Sequence, residues 1–173
     1  LRGLLDSEDV KNALIFCNRK RDIGVLQRSL VRHGYNAVSL HGDMSQPARL
    51  ETLEKFKNDE ADLMVASDVA ARGLDIKGLS HVFNFDVPSN PEDYVHRIGR
   101  TGRAGSEGRA FTLATPEDAR YLANIVKLIG GEIQPVPNQR LKLLHHVLKK
   151  QGHQLTIDGV TEEENAVLPM LFA

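Results

Sequence analysis

Asn12-Ala-Leu-Ile-Phe-Cys17 is a short apolar run, and residues 22–32 follow it with apolar side chains at helical spacing. This pattern predicts a strand followed by a helix. The pattern then repeats, because Ala37-Val-Ser-Leu40 is strand-like and Ser45-Gln46-Pro47 is typical of a helix start. Strands that alternate with helices of about ten to fifteen residues indicate βαβ units and a parallel sheet.

The remainder of the chain continues this alternation. Further buried strands are predicted at residues 61–66 and 81–85, and the next strand is predicted at 109–114. Helix starts are predicted at Asn90-Pro91 and at the capping box Thr115-Pro-Glu-Asp118. The second of these helices should end near Ile129, because Gly130-Gly131 follows it.

These elements define the predicted fold class and the domain limits. We expect an α/β fold in which an open parallel sheet is sandwiched by helices on both faces. A single domain is expected over residues 1–137. The pattern changes after Pro137, and residues 138–173 are therefore expected to be an appendage with a short helix at 141–150 and an irregular tail.

Composition restricts the class of protein. The 173 residues are 41% hydrophobic and 26% charged, which excludes collagen-like, disordered and disulfide-scaffold proteins. No apolar run reaches the roughly 18 residues of a membrane span, and residues 1–10 do not resemble a signal peptide. We therefore expect a cytoplasmic, monomeric piece of a longer protein, without membrane attachment.

Charge and cysteine content limit the kinds of site. The chain has 22 basic and 23 acidic residues, and its net charge is −1, so any anion-binding site must be local. Cys17 is the only cysteine, which excludes an internal disulfide and a four-cysteine zinc site. We expect Cys17 to be a small buried apolar residue. The histidine spacing does not suggest metal ligands, and no metal site is expected.

Three polar clusters follow predicted elements at positions where α/β sheets bind ligands. They are Asn18-Arg-Lys-Arg21, Ser67-Asp-Val-Ala-Ala-Arg-Gly-Leu-Asp75 and His96-Arg-Ile-Gly-Arg-Thr-Gly-Arg103. The third repeats arginine every third residue between glycines, which lets several guanidinium groups converge on one anion. The second offers a hydroxyl, backbone amides and a carboxylate suited to a ribose. Each cluster alone also fits a solvated loop or an ordinary turn, whereas the pair indicates a nucleotide site.

The chain resembles the C-terminal RecA-like domain of DEAD-box ATP-dependent RNA helicases of superfamily 2, and is most similar to the bacterial RhlE-like group. The resemblance runs from Asn12 to Pro137. Four family motifs, IV, IVa, V and VI, are matched in order by Ala13-Leu-Ile-Phe-Cys-Asn18, Gln46-Pro-Ala-Arg49, residues 67–75 and residues 96–103. The chain departs from the family in having Arg19 after Asn18, where threonine is common, and Ser67 in place of threonine.

The resemblance implies a role for each matched residue. Catalytic roles, including those of the arginine fingers that approach the γ-phosphate of ATP, fall to Arg100, Arg103 and His96. Nucleotide contacts are implied for Gly73, Asp75, Arg100 and Arg103. Contacts to the RNA sugar-phosphate backbone are implied for Arg19, Gly42, Gln46, Arg49 and Ser67. Coupling to a partner domain is implied for Arg72, His96 and Arg97.

The chain also lacks two motifs that ATP hydrolysis requires in this family. It contains neither a Gly-x-x-x-x-Gly-Lys-Ser/Thr loop nor an Asp-Glu-Ala-Asp run. The resemblance places both on an N-terminal RecA-like domain of the same polypeptide, which would also hold the Mg²⁺ that accompanies ATP. The expected function is thus half of an RNA helicase that unwinds duplexes locally, and the chain alone should be inactive.

Two alternatives remain open at this point. The chain could be a catalytically inactive helicase-like platform that binds RNA or protein, or a domain of a DNA-directed superfamily 2 helicase. The arginines of residues 96–103 favour an enzyme, because a platform does not need side chains spaced for phosphate. Gln46 and Arg49, together with the His-Arg-Ile-Gly-Arg sequence at 96–100, favour RNA.

Overall fold

The computed structural model describes residues 1–74, 76, 78–102 and 107–134. Its strands are β1 (Ala13–Phe16), β2 (Ala37–Leu40), β3 (Leu63–Ala66), β4 (His81–Asn84) and β5 (Arg109–Thr112). Its α-helices are α1 (Arg2–Ser7), α2 (Lys20–Arg32), α3 (Gln46–Lys57), α4 (Asp68–Ala71), α5 (Pro91–Ile98) and α6 (Ala119–Ile129). A 3₁₀ turn at Pro116–Asp118 precedes α6.

The strands form one five-stranded sheet in the order β2-β3-β1-β4-β5, and every neighbouring pair is parallel. The central strand β1 pairs with β3 on one side and with β4 on the other. In this register Phe16 lies beside Ala66 and Asn84, so the carboxyl ends of the three central strands are level. The predicted parallel α/β sheet is confirmed.

Helices cover both faces because β1 alternates its side chains between two apolar cores. Leu14 and Phe16 pack in a core with residues of α3 and α4. Ala13 and Ile15, which point to the opposite face, pack in a second core with residues of α1 and α2. A third apolar cluster joins α5 to α6 beyond the strand ends. Burial on both faces explains why the central strands β1 and β3 are continuous apolar runs.

The predicted helix starts are confirmed in their capping details. Ser45 Oγ accepts from the Ala48 amide at 3.4 Å, and Asn90 Oδ1 accepts from the Glu92 amide at 3.1 Å. Thr115 and Asp118 form the expected capping box. The α6 helix ends at Gly130, which closes it in a left-handed conformation.

The structure differs from the sequence-based expectation in two short segments. The helix α1 was not predicted, and its Leu4 and Leu5 are buried against the core of α2. Residues 68–71, which we expected in a loop, form the one-turn helix α4, capped by Ser67. The predicted appendage at 138–173 and its helix at 141–150 lie outside the described residues. Among the residues that the structure describes, every helix is too short or too polar to cross a lipid bilayer.

Candidate functional site

The sheet has a crevice between the carboxyl ends of β1 and β4. The chain leaves β1 for β2 on one side of the sheet, whereas it leaves β4 for β5 on the other side. Connections that diverge in this way mark the place where open α/β sheets usually bind a ligand. In this domain the crevice is filled by a side chain of the protein itself, Arg97 of α5.

Arg97 is 1% exposed and uses all five of its N–H donors within the domain. Its Nε and Nη2 each donate to a carboxylate oxygen of Asp68 at 2.7 Å. Nη2 also donates to Asn18 Oδ1 at 2.7 Å, and Nη1 donates to the Asp86 carbonyl at 2.9 Å. The fifth contact, from Nη1 to Asn84 Oδ1, is 3.4 Å long. One guanidinium therefore joins α5 to the ends of β1, β3 and β4.

Neighbouring groups complete this arrangement, which we call the Arg97 cluster (Asn18, Asp68, Asn84, Asp86 and Arg97). The guanidinium carbon of Arg97 lies 5.1 Å from the centre of the buried Phe16 ring. The Asn18 amide donates to Asp86 Oδ2 at 2.8 Å, which ties the loop after β1 to the loop after β4. A buried charge of this kind is tolerated because it is paired and fully hydrogen-bonded.

The sequence analysis gave no individual role to Asn18, Asp68 or Asp86, although Asn18 and Asp68 lie within its polar clusters. Their shared signal is position, because each is a polar residue that follows a buried strand by one or two residues. The burial of Arg97 does not favour the direct contact with a partner domain that we predicted for this residue. Its side chain has almost no accessible surface, and its donors are already in use.

Next to the Arg97 cluster lies a small cleft, with a volume of only about 10 Å³, whose lining includes three other predicted residues. Arg72, His96 and Arg100 line this cleft beside Asp68 and Asp93. His96 is exposed, and Arg72 Nη2 donates to Asp93 Oδ1 at 3.1 Å. Cationic side chains from the segment after β3 and from the end of α5 thus face the same space.

Arg100 lies against the loop that follows α4. Its Nη1 donates to the Leu74 carbonyl at 3.0 Å, and its side chain is only partly buried. Gly73, in the same loop, has a positive φ of 73°. Two predicted nucleotide contacts, Asp75 and Arg103, lie outside the described residues. Arg100 therefore contacts Leu74, the residue that immediately precedes Asp75 in the sequence.

The segment after α5 is held by close packing. Thr101 Oγ1 donates to the Leu79 carbonyl at 2.5 Å, and Thr101 also forms a β-bridge with Leu79. A Cβ on Gly108 would lie only 2.3 Å from the Gly102 amide nitrogen. Only glycine can therefore bring the start of β5 so close to this segment.

The five residues predicted to contact RNA lie near the carboxyl ends of β2, β3 and β1, on the other half of the sheet. Arg19 follows β1, Ser67 follows β3, and Gly42 follows β2, and these three strands are neighbours. Gln46 and Arg49 are in the first turns of α3. Arg49 is held by a 3.3 Å hydrogen bond from its Nη1 to the His41 carbonyl, which leaves its other donors available. All five residues thus lie at the same end of the sheet, beyond the carboxyl ends of its strands.

Ser67 has a local structural role as well. Its Oγ accepts from the Ala70 amide at 3.4 Å and so caps α4. A hydroxyl that accepts one hydrogen bond still has a proton to donate, and no acceptor for that proton is found among the described residues. The cap therefore leaves Ser67 able to donate to a phosphate oxygen.

Comparison with known proteins agrees with this geometry. Residues 1–105 match the family described as the helicase conserved C-terminal domain. An ATP-dependent RNA helicase, CshA of Limosilactobacillus reuteri, is 48% identical over 133 residues. The aligned region is 77% of this chain but 27% of CshA, so the chain spans about a quarter of that relative.

Solved structures give the same family. The E. coli DEAD-box protein SrmB, in a crystal structure with regulator of ribonuclease activity A, has a TM-score of 0.76 and 35% identity, over 80% of this chain and 82% of that chain. The C-terminal domain of the DEAD-box protein Dbp5 has a TM-score of 0.74 and 30% identity, over 86% of this chain and 87% of that one. The sheet order, the Arg97 cluster and these matches lead to one conclusion: the chain belongs to the DEAD-box family of RNA helicases and has the RecA-like fold of their C-terminal domains.

Proposed function

We propose that this domain supplies one half of a composite ATPase site and part of an RNA-binding track. The other half would be an N-terminal RecA-like domain of the same polypeptide. The observation that carries the proposal is the Arg97 cluster, because it joins the cleft that contains Arg100 to the strand ends that carry Arg19 and Ser67. A movement of the cleft around Arg100 would therefore be transmitted to the strand ends that carry Arg19 and Ser67.

On the nucleotide side, Arg100 and Arg103 would act as arginine fingers. Charge builds up on the γ-phosphoryl oxygens during transfer, and guanidinium groups stabilise that charge. Gly73 and Asp75 would contact the ribose. His96 and Arg72 are exposed in or beside the same cleft, and they would meet the catalytic motifs of the other domain.

The Mg²⁺ that accompanies ATP would be held by the other domain, because this sequence contains neither the phosphate-binding loop nor the Asp-Glu-Ala-Asp run. When bound, Mg²⁺ would neutralise charge on the ATP phosphates. The contribution of this chain is to bring Arg100 toward the phosphates as the two domains close, and to exclude water from the site.

On the RNA side, Arg19, Gly42, Gln46, Arg49 and Ser67 would hold the sugar-phosphate backbone. Such contacts position a strand without reading its bases. We infer that domain closure grips one strand in a bent shape, which separates a short duplex locally. Hydrolysis and phosphate release would then open the domains and free the strand.

The proposal is tested with Arg100→Ala in the intact protein that contains this domain. We expect RNA-stimulated ATP hydrolysis to fall by roughly 10³-fold, the low end for loss of an arginine finger. Arg100→Lys should not restore the rate fully, because lysine lacks the planar fork. Single-strand RNA affinity should change much less.

Arg120→Ala is the matched control. Arg120 is exposed on α6, where its guanidinium lies 5.0 Å from the Tyr121 ring centre, and it does not line the cleft. Its loss should leave hydrolysis unchanged. An ATPase rate within about twofold of wild type for Arg100→Ala would show that residues 96–103 form only a structural loop.

A further inference from the structure

A basic groove lies beside the proposed RNA track. It has a volume of about 740 Å³ and lies between the start of α2 and the loop after β2. Apart from Gly24, its lining consists of Arg19, Lys20, Arg21, Arg28, His41 and Asp43. We call this region the α2 groove.

The charge in the α2 groove is local and only partly neutralised. Four cationic side chains face a single carboxylate, Asp43, which pairs with Lys20. Arg21 lies 3.6 Å from Asp22. Arg19 and Arg28 have no ion pair within the described part of the chain. Because the whole chain has a net charge of −1, this is a concentration of positive charge on a nearly neutral protein.

Arg28 lies against Gly24, one turn earlier in α2. A Cβ on Gly24 would lie 3.2 Å from Arg28 Nη1, so the guanidinium rests near the backbone at the start of the helix. The contact is with the flexible end of Arg28, which could move by the few tenths of an ångström that a methyl group would need. The guanidinium thus lies close to the other cations of the groove.

The α2 groove is continuous with the proposed RNA track at two points. Arg19 belongs to both, and His41, in the groove lining, accepts a hydrogen bond from the track residue Arg49 through its carbonyl. His41 Nδ1 is buried and has no hydrogen-bond partner among the described residues. The α2 groove therefore adds further polar and cationic groups next to the proposed RNA track.

We propose that the α2 groove is a second RNA subsite, which takes the phosphate backbone of a strand as it leaves the track, and that Arg28 is its principal contact. A row of guanidinium groups in a groove suits a chain of phosphates, which guanidinium can bind through two parallel hydrogen bonds. This inference rests on the proposed RNA track and adds a contact that only longer strands can reach.

The test is a salt titration of the 173-residue chain with labelled oligouridylates of graded length. Each phosphate neutralised on a single strand adds about −0.7 to the slope of log affinity against log salt. For wild type, the slope should become steeper by about one such contact once the strand is long enough to enter the α2 groove. Arg28→Gln should remove that increment and leave the binding of short strands unchanged.

Arg32→Gln is the matched control, because Arg32 is an exposed arginine of the same helix that does not line the groove. It should retain the length-dependent increment. An equal loss in Arg32→Gln and Arg28→Gln would indicate a general charge effect and would overturn the proposal. So would an Arg28→Gln protein that keeps wild-type slopes at every length.

Two further variants separate the possible causes of failure. Gly24→Ala should raise the melting temperature, because alanine favours helix, and should leave the binding of long strands unchanged, because the flexible Arg28 guanidinium can move by a few tenths of an ångström. Arg49→Gln should weaken strands of every length; if it has no effect at any length, the RNA track itself is wrong. If Arg28→Gln weakens binding of polyglutamate but not of long oligouridylate, the groove is a protein-docking site and the RNA subsite is refuted.

Discussion

Arg97 and Asp68 form a bidentate ion pair in which two guanidinium nitrogens each donate to a different carboxylate oxygen at 2.7 Å. Arg97 belongs to α5, whereas Asp68 is the first residue of α4, which follows β3. The Arg97 side chain is 1% exposed and the Asp68 side chain is 23% exposed. The pair therefore fixes the segment that leads to Arg100 onto the central strands of the sheet.

Loss of the Arg97 guanidinium should destabilise the domain strongly. Removing one partner of a buried ion pair leaves the other charge unpaired, which costs about 3–5 kcal/mol. Arg97→Lys keeps a positive charge near Asp68, yet it should still lose a large part of this stability, because lysine cannot donate to Asp68, Asn18 and the Asp86 carbonyl from one planar group. Denaturant unfolding monitored by circular dichroism measures the change in the free energy of unfolding.

Arg72→Lys provides the comparison. The Arg72–Asp93 pair has a similar 3.1 Å contact, but the Arg72 side chain is 65% exposed. Exposed pairs contribute about 0.2–1 kcal/mol, so this change should be small. Equal effects of Arg72→Lys and Arg97→Lys on stability would contradict the structural role given to the Arg97 cluster.

The isolated chain should not hydrolyse ATP, with or without RNA. It lacks the phosphate-binding loop and the acidic metal-binding motif that phosphoryl transfer uses. Nucleotide binding should also be weak, since a water-exposed half-site gains little from charge. Phosphate release by the pure protein at saturating RNA is the measurement, and RNA-stimulated turnover that survives repeated purification would refute the composite site.

Short single strands of RNA should bind the isolated chain weakly and without sequence preference. Two or three phosphate contacts imply a slope of log affinity against log salt of roughly −1.5 to −2. Arg49→Gln should flatten this slope by about one contact. Titrations of short labelled strands of different sequence provide the test. A steep slope with strong sequence preference would mean that this domain reads bases.

Cys17 should be chemically inert in the folded protein. Burial raises the pKa of its thiol to about 12, and the nearby carboxylates of Asp86 and Asp22 add to the effect. The reactive thiolate is therefore scarce at neutral pH. A thiol reagent should label Cys17 only under unfolding conditions, and because the chain has no other cysteine the signal is unambiguous. Rapid labelling of the native protein would contradict this burial.

The stability of the fold should decrease as pH falls through the ordinary histidine pKa of 6.5. His81 is 5% exposed and packs beside the rings of Phe83 and Phe111, whose centres lie 5.8 Å and 6.1 Å from its own. Its Nε2 has no hydrogen-bond partner among the described residues, and the nearest Glu8 oxygen is 3.8 Å away. Burial lowers the pKa of His81, although Glu8 opposes the shift. The unfolded chain thus binds this proton more readily than the folded one, and protonation favours unfolding.

His81→Phe isolates this effect. A phenyl ring can occupy the stacked position without carrying a proton, so the variant should lose less stability than wild type on acidification. His33→Gln, a change at an exposed histidine, should keep the wild-type dependence. Thermal unfolding measured above and below pH 6.5 gives the comparison. Parallel pH profiles for wild type and His81→Phe would exclude His81 as the cause.

Periodicity and caps were sufficient to predict most of the secondary structure. Residues 37–40 were predicted without error, and Ser45 and Asn90 begin helices as their side chains indicated. The helix α1 was missed because it is only six residues long and is stabilised by burial of Leu4 and Leu5 in the tertiary fold. Local patterns do not contain that information.

The candidate site, like the secondary structure, was predictable where local sequence patterns decide it and not where the tertiary fold does. The sequence motifs grouped Arg72, His96 and Arg100, and in the structure these residues line the same small cleft at one end of the sheet. Their functional roles stay predictions. The motifs could not show that Arg97, in the same basic run, points into the protein. Direction depends on where α5 lies relative to β1 and β4, and the acceptors are distant in sequence, as in the 79 residues that separate Arg97 from Asn18.

The filled crevice between β1 and β4 has a consequence for the ATP site that we propose. Because Arg97 fills the crevice, only the residues around its opening are free to contact a ligand, and such contacts hold a ligand well only when another domain covers it. In the proposed function, that other domain is linked to this one, so its local concentration depends on the length and stiffness of the connecting segment. The apparent affinity for ATP would then be set as much by that segment as by any side chain that touches the nucleotide.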